Sequence, residues 1–117
     1  MNENELKTRT KQFGLRVIRL VESLPNTQTA RTIGNQLLRS GISVGANYRA
    51  ACRGKSKADF ISKAGISQEE ADECVYWMEL LQEAGIIPAE KLKDLMKEAN
   101  ELVAIFTASI KTARSHL

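Results

Sequence analysis

Near the C-terminus, Leu92, Leu95, Ala99, Leu102, Phe106, Ile110 and Ala113 follow spacings of three, four and seven, which wind onto one stripe of an α-helix. A stripe sustained over about six turns has to be covered, and other helices lying alongside cover it best. Three earlier segments supply them. Leu6, Phe13, Val17, Leu20, Val21 and Leu24 share one helical face, and Pro25-Asn26 stops that helix. A second segment runs to Arg53 with Ile33, Leu37, Val44, Tyr48 and Ala51 as its core face, and Gly54 is placed to end it in the left-handed conformation. Ser56-Lys57-Ala58-Asp59 is a helix-start pattern, the hydroxyl capping free amides and the carboxylate meeting the positive helix end. Phe60, Ala64, Ala71, Val75, Met78 and Leu81 then carry a third inner face until Gly85 ends it, and Pro88 suits the first turn of the fourth helix.

No segment alternates as a strand would, so the fold class is all-α. Helices are expected over 4–24, 27–53, 57–84 and 88–115, forming a single domain over 1–117. The connections are a few residues long, which turns each helix back beside its neighbour in an antiparallel up-down-up-down four-helix bundle. Segments of about 26 residues are roughly 39 Å long, so the bundle should be a rod. Gly34, Gly41 and Gly45 flank the core face of the second helix; glycine costs about 1 kcal/mol relative to alanine there, which implies a helix crossing close by.

The uncharged runs Ser40 to Tyr48 and Leu102 to Ile110 fall far short of the roughly 20 apolar residues of a membrane span. Met1 to Lys11 has no apolar signal-peptide core, and the expected location is cytoplasmic. Cys52 and Cys74 form no metal or redox spacing and read as core thiols of a reducing compartment.

Catalytic residues are not in evidence. The single histidine, His116, is penultimate, and Glu69, Glu70, Asp72 and Glu73 read as a solvated or ion-paired helix face. Without a Glu-x-x-His pair, no di-iron or other metal site is expected, and no cofactor. Gly54-Lys55-Ser56 resembles the tail of a phosphate-binding loop but has Arg49 where a glycine is required, and no strand before it.

Charge is the informative property. Residues 1–57 hold eleven Lys/Arg against three Asp/Glu, and residues 58–117 hold six against eleven. On the second helix Arg31, Arg39, Arg49 and Arg53 fall within about 80° of rotation, interrupted by Leu38 and Ile42. Arginine mixed with aliphatics suits a contact surface better than a solubilising one. With Lys55 and Lys57 these arginines are the candidate nucleic-acid contacts, and Leu38 and Ile42 the candidate oligomer interface.

The run Gln36-Leu37-Leu38-Arg39-Ser40-Gly41-Ile42-Ser43-Val44-Gly45-Ala46-Asn47-Tyr48-Arg49-Ala50 resembles the signature of the bacterial four-helix bundle proteins named for intervening sequences in large-subunit ribosomal RNA genes. Ser56-Lys57-Ala58-Asp59-Phe60, Glu70-Ala71 and Tyr76-Trp77-Met78-Glu79-Leu80-Leu81 look like that family's third helix. Many members carry an acid in the place of Arg49 or Ala50, where this chain departs from the pattern. The resemblance implies a cytoplasmic bundle assembling into a ring-shaped homopentamer with no enzymatic activity. The accessory variability determinant proteins of diversity-generating retroelements are similar as well, and imply a basic pentamer that binds nucleic acid and a nucleic-acid-processing protein. The expected function is therefore non-catalytic binding of RNA or DNA by a homo-oligomer, with no small-molecule substrate and no membrane. The alternative is a protein-interaction scaffold whose basic and acidic helices pair between subunits.

Overall fold

The computed structural model describes residues 1–116 and contains four helices: α1 (Glu3–Glu22), α2 (Gln28–Cys52), α3 (Lys57–Glu83) and α4 (Ala89–Ser115). They form a rod of 48 × 20 × 19 Å, each packing on the next in sequence, with α1 and α4 touching least. No described helix is long and apolar enough to cross a membrane.

Each start is capped by a side chain except the last. Asn2 Oδ1 accepts from the Glu5 amide at 2.8 Å, and Ser56 Oγ accepts from the Asp59 amide at 3.0 Å. Thr27 does the same for Ala30 at 3.2 Å. Pro88 stands one place before α4 rather than in its first turn. At the other end of α1, the Ser23 hydroxyl and amide both turn back to the Leu20 carbonyl, so the helix stops at Glu22, ahead of Pro25.

The expectation for Gly54 is corrected. Among the described residues only Gly85 has a positive φ, of 73°, where it ends α3 as its freedom of backbone allows. Gly54 is needed for closeness instead: a Cβ there would lie 2.9 Å from the Ala51 carbonyl oxygen and 2.9 Å from Asp59 Oδ2.

Phe13, Val17, Leu37, Val44, Met78, Leu81, Leu92, Leu102 and Phe106 are fully enclosed and form the spine of the core. Ala51, Ala64 and Ile110 close a smaller apolar cluster where the ends of α2, α3 and α4 converge. Between α1 and α2 the backbones nearly touch. A Cβ on Gly41 would sit 2.6 Å from Val17 Cγ1, and one on Gly45 would sit 3.3 Å from Thr10 Oγ1. That tight crossing fixes the register of the α1–α2 hairpin, opposing Thr10 to Gly45 and Val17 to Gly41. On the far side, the buried Ser67 hydroxyl donates to the Val44 carbonyl at 2.9 Å, and Gln68 Nε2 donates to Thr107 Oγ1 at 2.6 Å.

Candidate nucleic-acid interface

Antiparallel registers decide which charges become neighbours. The start of α1, the end of α2, the start of α3 and the end of α4 lie at one end of the rod, where the Lys57 ammonium donates to the His116 carbonyl. Lys7 and Lys11 come from α1, Arg49 and Arg53 from α2, Lys55 from the connecting turn, and Lys111 and Arg114 from α4. Around the start of α1, the end of α2 and the start of α3 the acids are few and already engaged, while on the α3–α4 side Glu69 lines a cavity with Lys111 and Arg114. Glu3 pairs with Lys7 at 3.2 Å, Asp59 with Lys63 at 3.1 Å, and Glu5 accepts from the Asn2 amide side chain at 3.0 Å. Asp59 also accepts from the Lys55 backbone amide at 3.3 Å, and the two lysine partners hold its carboxyl below the usual range despite the opposing pull of desolvation. Lys11, Arg49, Arg53, Lys55, Lys111 and Arg114 make no ion pair among the described residues.

A groove of about 530 Å³ leads from this end along the α1–α2 crossing. Lys7, Lys11, Arg49 and Arg53 rim it, Thr10, Gly14, Gly45 and Ala46 form its small-residue floor, and Leu15, Ile18 and Ile42 line its inner stretch. None of its lining residues is acidic. The groove exists because glycines bring the helix axes together, leaving only long flanking side chains to build walls.

The arginines expected to act together divide into three. Arg49 and Arg53 join the basic end with Lys55, as the sequence suggested. Arg39 is committed within the chain: Nη1 lies 2.8 Å from Glu70 and Nη2 3.2 Å from Glu73, and Nη2 also donates to Ser40 Oγ at 3.2 Å. The Glu70 carboxylate that it meets is nearly buried. Arg31 is at the opposite end, 22 residues and roughly 33 Å along α2 from Arg53, and donates to Asn26 Oδ1 at 2.5 Å. Arg39 turns toward α3 and Arg49 and Arg53 toward the α1–α2 groove, and a stripe that long is not one site. Lys57 belongs to the basic end while its ammonium donates to the carbonyl of His116, the residue that caps α4. Of the two interface candidates, Ile42 is 49% exposed on the groove and Leu38 is half-buried.

Sequence reasoning missed Lys7, Lys11, Lys111 and Arg114. The signal that finds the first two is hairpin register: with Thr10 opposite Gly45, one turn outward places Lys7 level with Arg49. The α4 pair was hidden by averaging, because the acids of α3 outweigh it in the second half of the sequence.

The family model described as 23S rRNA-intervening sequence protein matches residues 2–108 of this chain. A crystal structure of a protein of unknown function from the S23 ribosomal protein family, from Bacteroides thetaiotaomicron, is similar throughout. It is 36% identical, the match covers 95% of this chain and 99% of that one, and the TM-score is 0.88. Among curated proteins, none matches.

Proposed function

This chain belongs to the 23S rRNA-intervening sequence protein family, and from that premise we propose that it is a non-catalytic, oligomeric binding protein whose basic end takes the phosphate backbone of nucleic acid. The observation that carries this reading is the group of cations at one end of the rod that make no ion pair among the described residues, Lys11, Arg49, Arg53, Lys55, Lys111 and Arg114, drawn from three helices and a turn. Unpaired like charges repel and contribute nothing to folding, so their convergence is better accounted for by an anionic partner. Lys and Arg contacts to phosphates give salt-dependent binding with little sequence preference. Replacing Arg49 and Arg53 by Glu should abolish binding of labelled RNA and DNA in fluorescence anisotropy at low salt, with helical content unchanged. Binding equal to that of the parent would reject the reading.

Self-assembly into a homo-oligomer is part of the proposal. Leu15 and Ile42, 38% and 49% exposed, lie on the α1–α2 groove beside basic residues. Ile66 and Tyr76, 40% and 53% exposed, share α3 with Glu69 and Asp72. A basic-apolar face and an acidic-apolar face on different sides of one rod suit head-to-tail pairing, which closes into a ring when the rotation allows. A ring of five is the assembly that the family resemblance implies. These same faces favour the scaffold reading, in which α2 and α3 pair between subunits and no nucleic acid is bound; unaltered assembly together with no nucleic-acid binding would establish it.

A further inference from the structure

We infer that the α1–α2 groove is filled by the outer face of α3 of a second copy, with the two rods parallel; the inference deepens the self-assembly reading above and rests on it. Ile66, Glu69, Glu73, Tyr76 and Leu80 recur on α3 at spacings of three and four, which wind onto one stripe. That stripe lies opposite the inner face carried by Ala64, Ala71, Cys74 and Met78, so α3 has apolar residues on both sides. A single bundle covers only one of them. Ile66 and Tyr76 remain 40% and 53% exposed, and Leu80 is half-buried.

Charge selects the surface that covers them. Between Lys63 and Lys91 the chain has no Lys or Arg, and Glu69, Asp72, Glu79 and Glu83 of α3 make no ion pair among the described residues. The groove is the reverse: Lys11, Arg49 and Arg53 rim it, its inner stretch is aliphatic, and none of its lining residues is an acid. Gly14, Gly45 and Ala46 on the floor leave room for a third helix to come close.

Spacing sets the orientation. On α2, Leu38, Ile42 and Arg49 stand four and then seven residues apart, and on α3, Leu80, Tyr76 and Glu69 repeat those intervals in the reverse direction. Laid antiparallel, Leu38 comes level with Leu80, Ile42 with Tyr76 and Arg49 with Glu69, over roughly 16 Å. The opposite direction sets Ile42 on Ile66 and Arg49 on Glu73, but leaves Leu38 against Ser62 and uses a carboxylate that Arg39 already holds. Arg49 and Glu69 would meet at the solvent-exposed rim, where an ion pair orients the partner more than it holds it, so the aliphatic and tyrosine contacts carry the affinity. Within one chain α2 and α3 are antiparallel, as the contacts of Val44 with Ser67 and of Arg39 with Glu70 and Glu73 require. An α3 that also runs antiparallel to the α2 of its neighbour therefore makes the two rods parallel. The contact joins unlike faces and repeats from copy to copy without inverting the rod, which gathers the basic ends of all copies on one rim.

Cross-linking tests the contact, in a Cys52→Ser background with Cys74 enclosed in the core. A short bismaleimide should join the double variant Ile42→Cys/Tyr76→Cys into covalent multimers at about tenfold or more the yield of either single variant, since both thiols are exposed. The double variant Ile42→Cys/Ile66→Cys reports the opposite orientation and should stay at the level of the single variants, because Ile66 lies about 15 Å along α3 from Tyr76. Equal or better cross-linking of that second pair overturns the parallel arrangement. No multimer from either pair, in a protein that light scattering shows to be assembled, overturns the docking of α3 and leaves self-assembly standing. A parent protein that is monomeric at micromolar concentration overturns both.

Discussion

Arg39 of α2 and Glu70 of α3 meet at 2.8 Å, with the guanidinium half in solvent and the carboxylate 11% exposed. Burial raises the Glu70 carboxyl, but hydrogen bonds shared with Glu73 and received from Arg39 outweigh it and hold the group below the usual glutamate range. Glu73 is displaced the other way, chiefly by its contact with Glu70. The Arg39→Ala variant leaves a nearly buried carboxylate without its cation and should lose about 1–3 kcal/mol in urea unfolding at neutral pH. Because the depressed Glu70 stabilises the fold above its ordinary pKa, that contribution is lost as the pH falls through the folded value. Stability of the variant should therefore fall less on acidification than that of the parent. Glu73→Gln, which removes a carboxylate whose charged form the fold disfavours, should leave neutral-pH stability unchanged or slightly higher.

Gly41 and Gly65 should respond to alanine in opposite senses. A methyl on Gly41 collides with Val17, whose nearest atom is 2.6 Å away, and should cost about 1–3 kcal/mol. Around Gly65 nothing lies within 4 Å, so alanine there should add up to about 1 kcal/mol of helix stability. Thermal unfolding of the two variants beside the parent checks both signs.

Cys74 is fully enclosed and its thiol is pushed up to about 12, first by burial and then by Glu70 and Glu73. Burial also raises Cys52, which is partly exposed. A thiol-specific reagent at neutral pH should label Cys52 slowly and Cys74 only at the rate of unfolding. Labelling of Cys74 in the folded protein as fast as a free thiol would show that the core opens there.

Leu15 and Ile42 should govern assembly. Replacing both by Glu puts acids in the middle of the basic-apolar face and should reduce the particle to its 13.0 kDa monomer in light scattering, with helical content retained. A parent protein that is already monomeric at micromolar concentration would reject the homo-oligomer directly.

The helices were legible in the sequence because apolar residues recur at helical spacing and several boundaries carry a readable signal, as Ser56 and Gly85 do. Ends were misjudged where local chemistry competed: Ser23 closes α1 before Pro25 is reached. The site was half legible. Arg49, Arg53 and Lys55 are neighbours in sequence and in space, but Lys111 reaches the same end only after two reversals of the chain; Arg31 was placed among them because a helical wheel ignores distance along the axis, and Arg39 because the wheel shows no neighbouring helix. Its partner, Glu70, belongs to another helix, and the α2–α3 register that joins them depends on side-chain contacts such as Ser67 with the Val44 carbonyl.

The salt dependence of nucleic-acid binding reports directly on phosphate contacts at the basic end of the rod. If Lys11, Arg49, Arg53, Lys55, Lys111 and Arg114 each meet one phosphate, log K against log salt should fall with a slope of roughly −4 to −5 per protomer. Replacing Arg49 and Arg53 by Ala should make the slope shallower by about 1.4 to 1.8. Negligible binding at low salt, or a slope that the two substitutions leave unchanged, would contradict the assignment of this end of the rod as the binding surface.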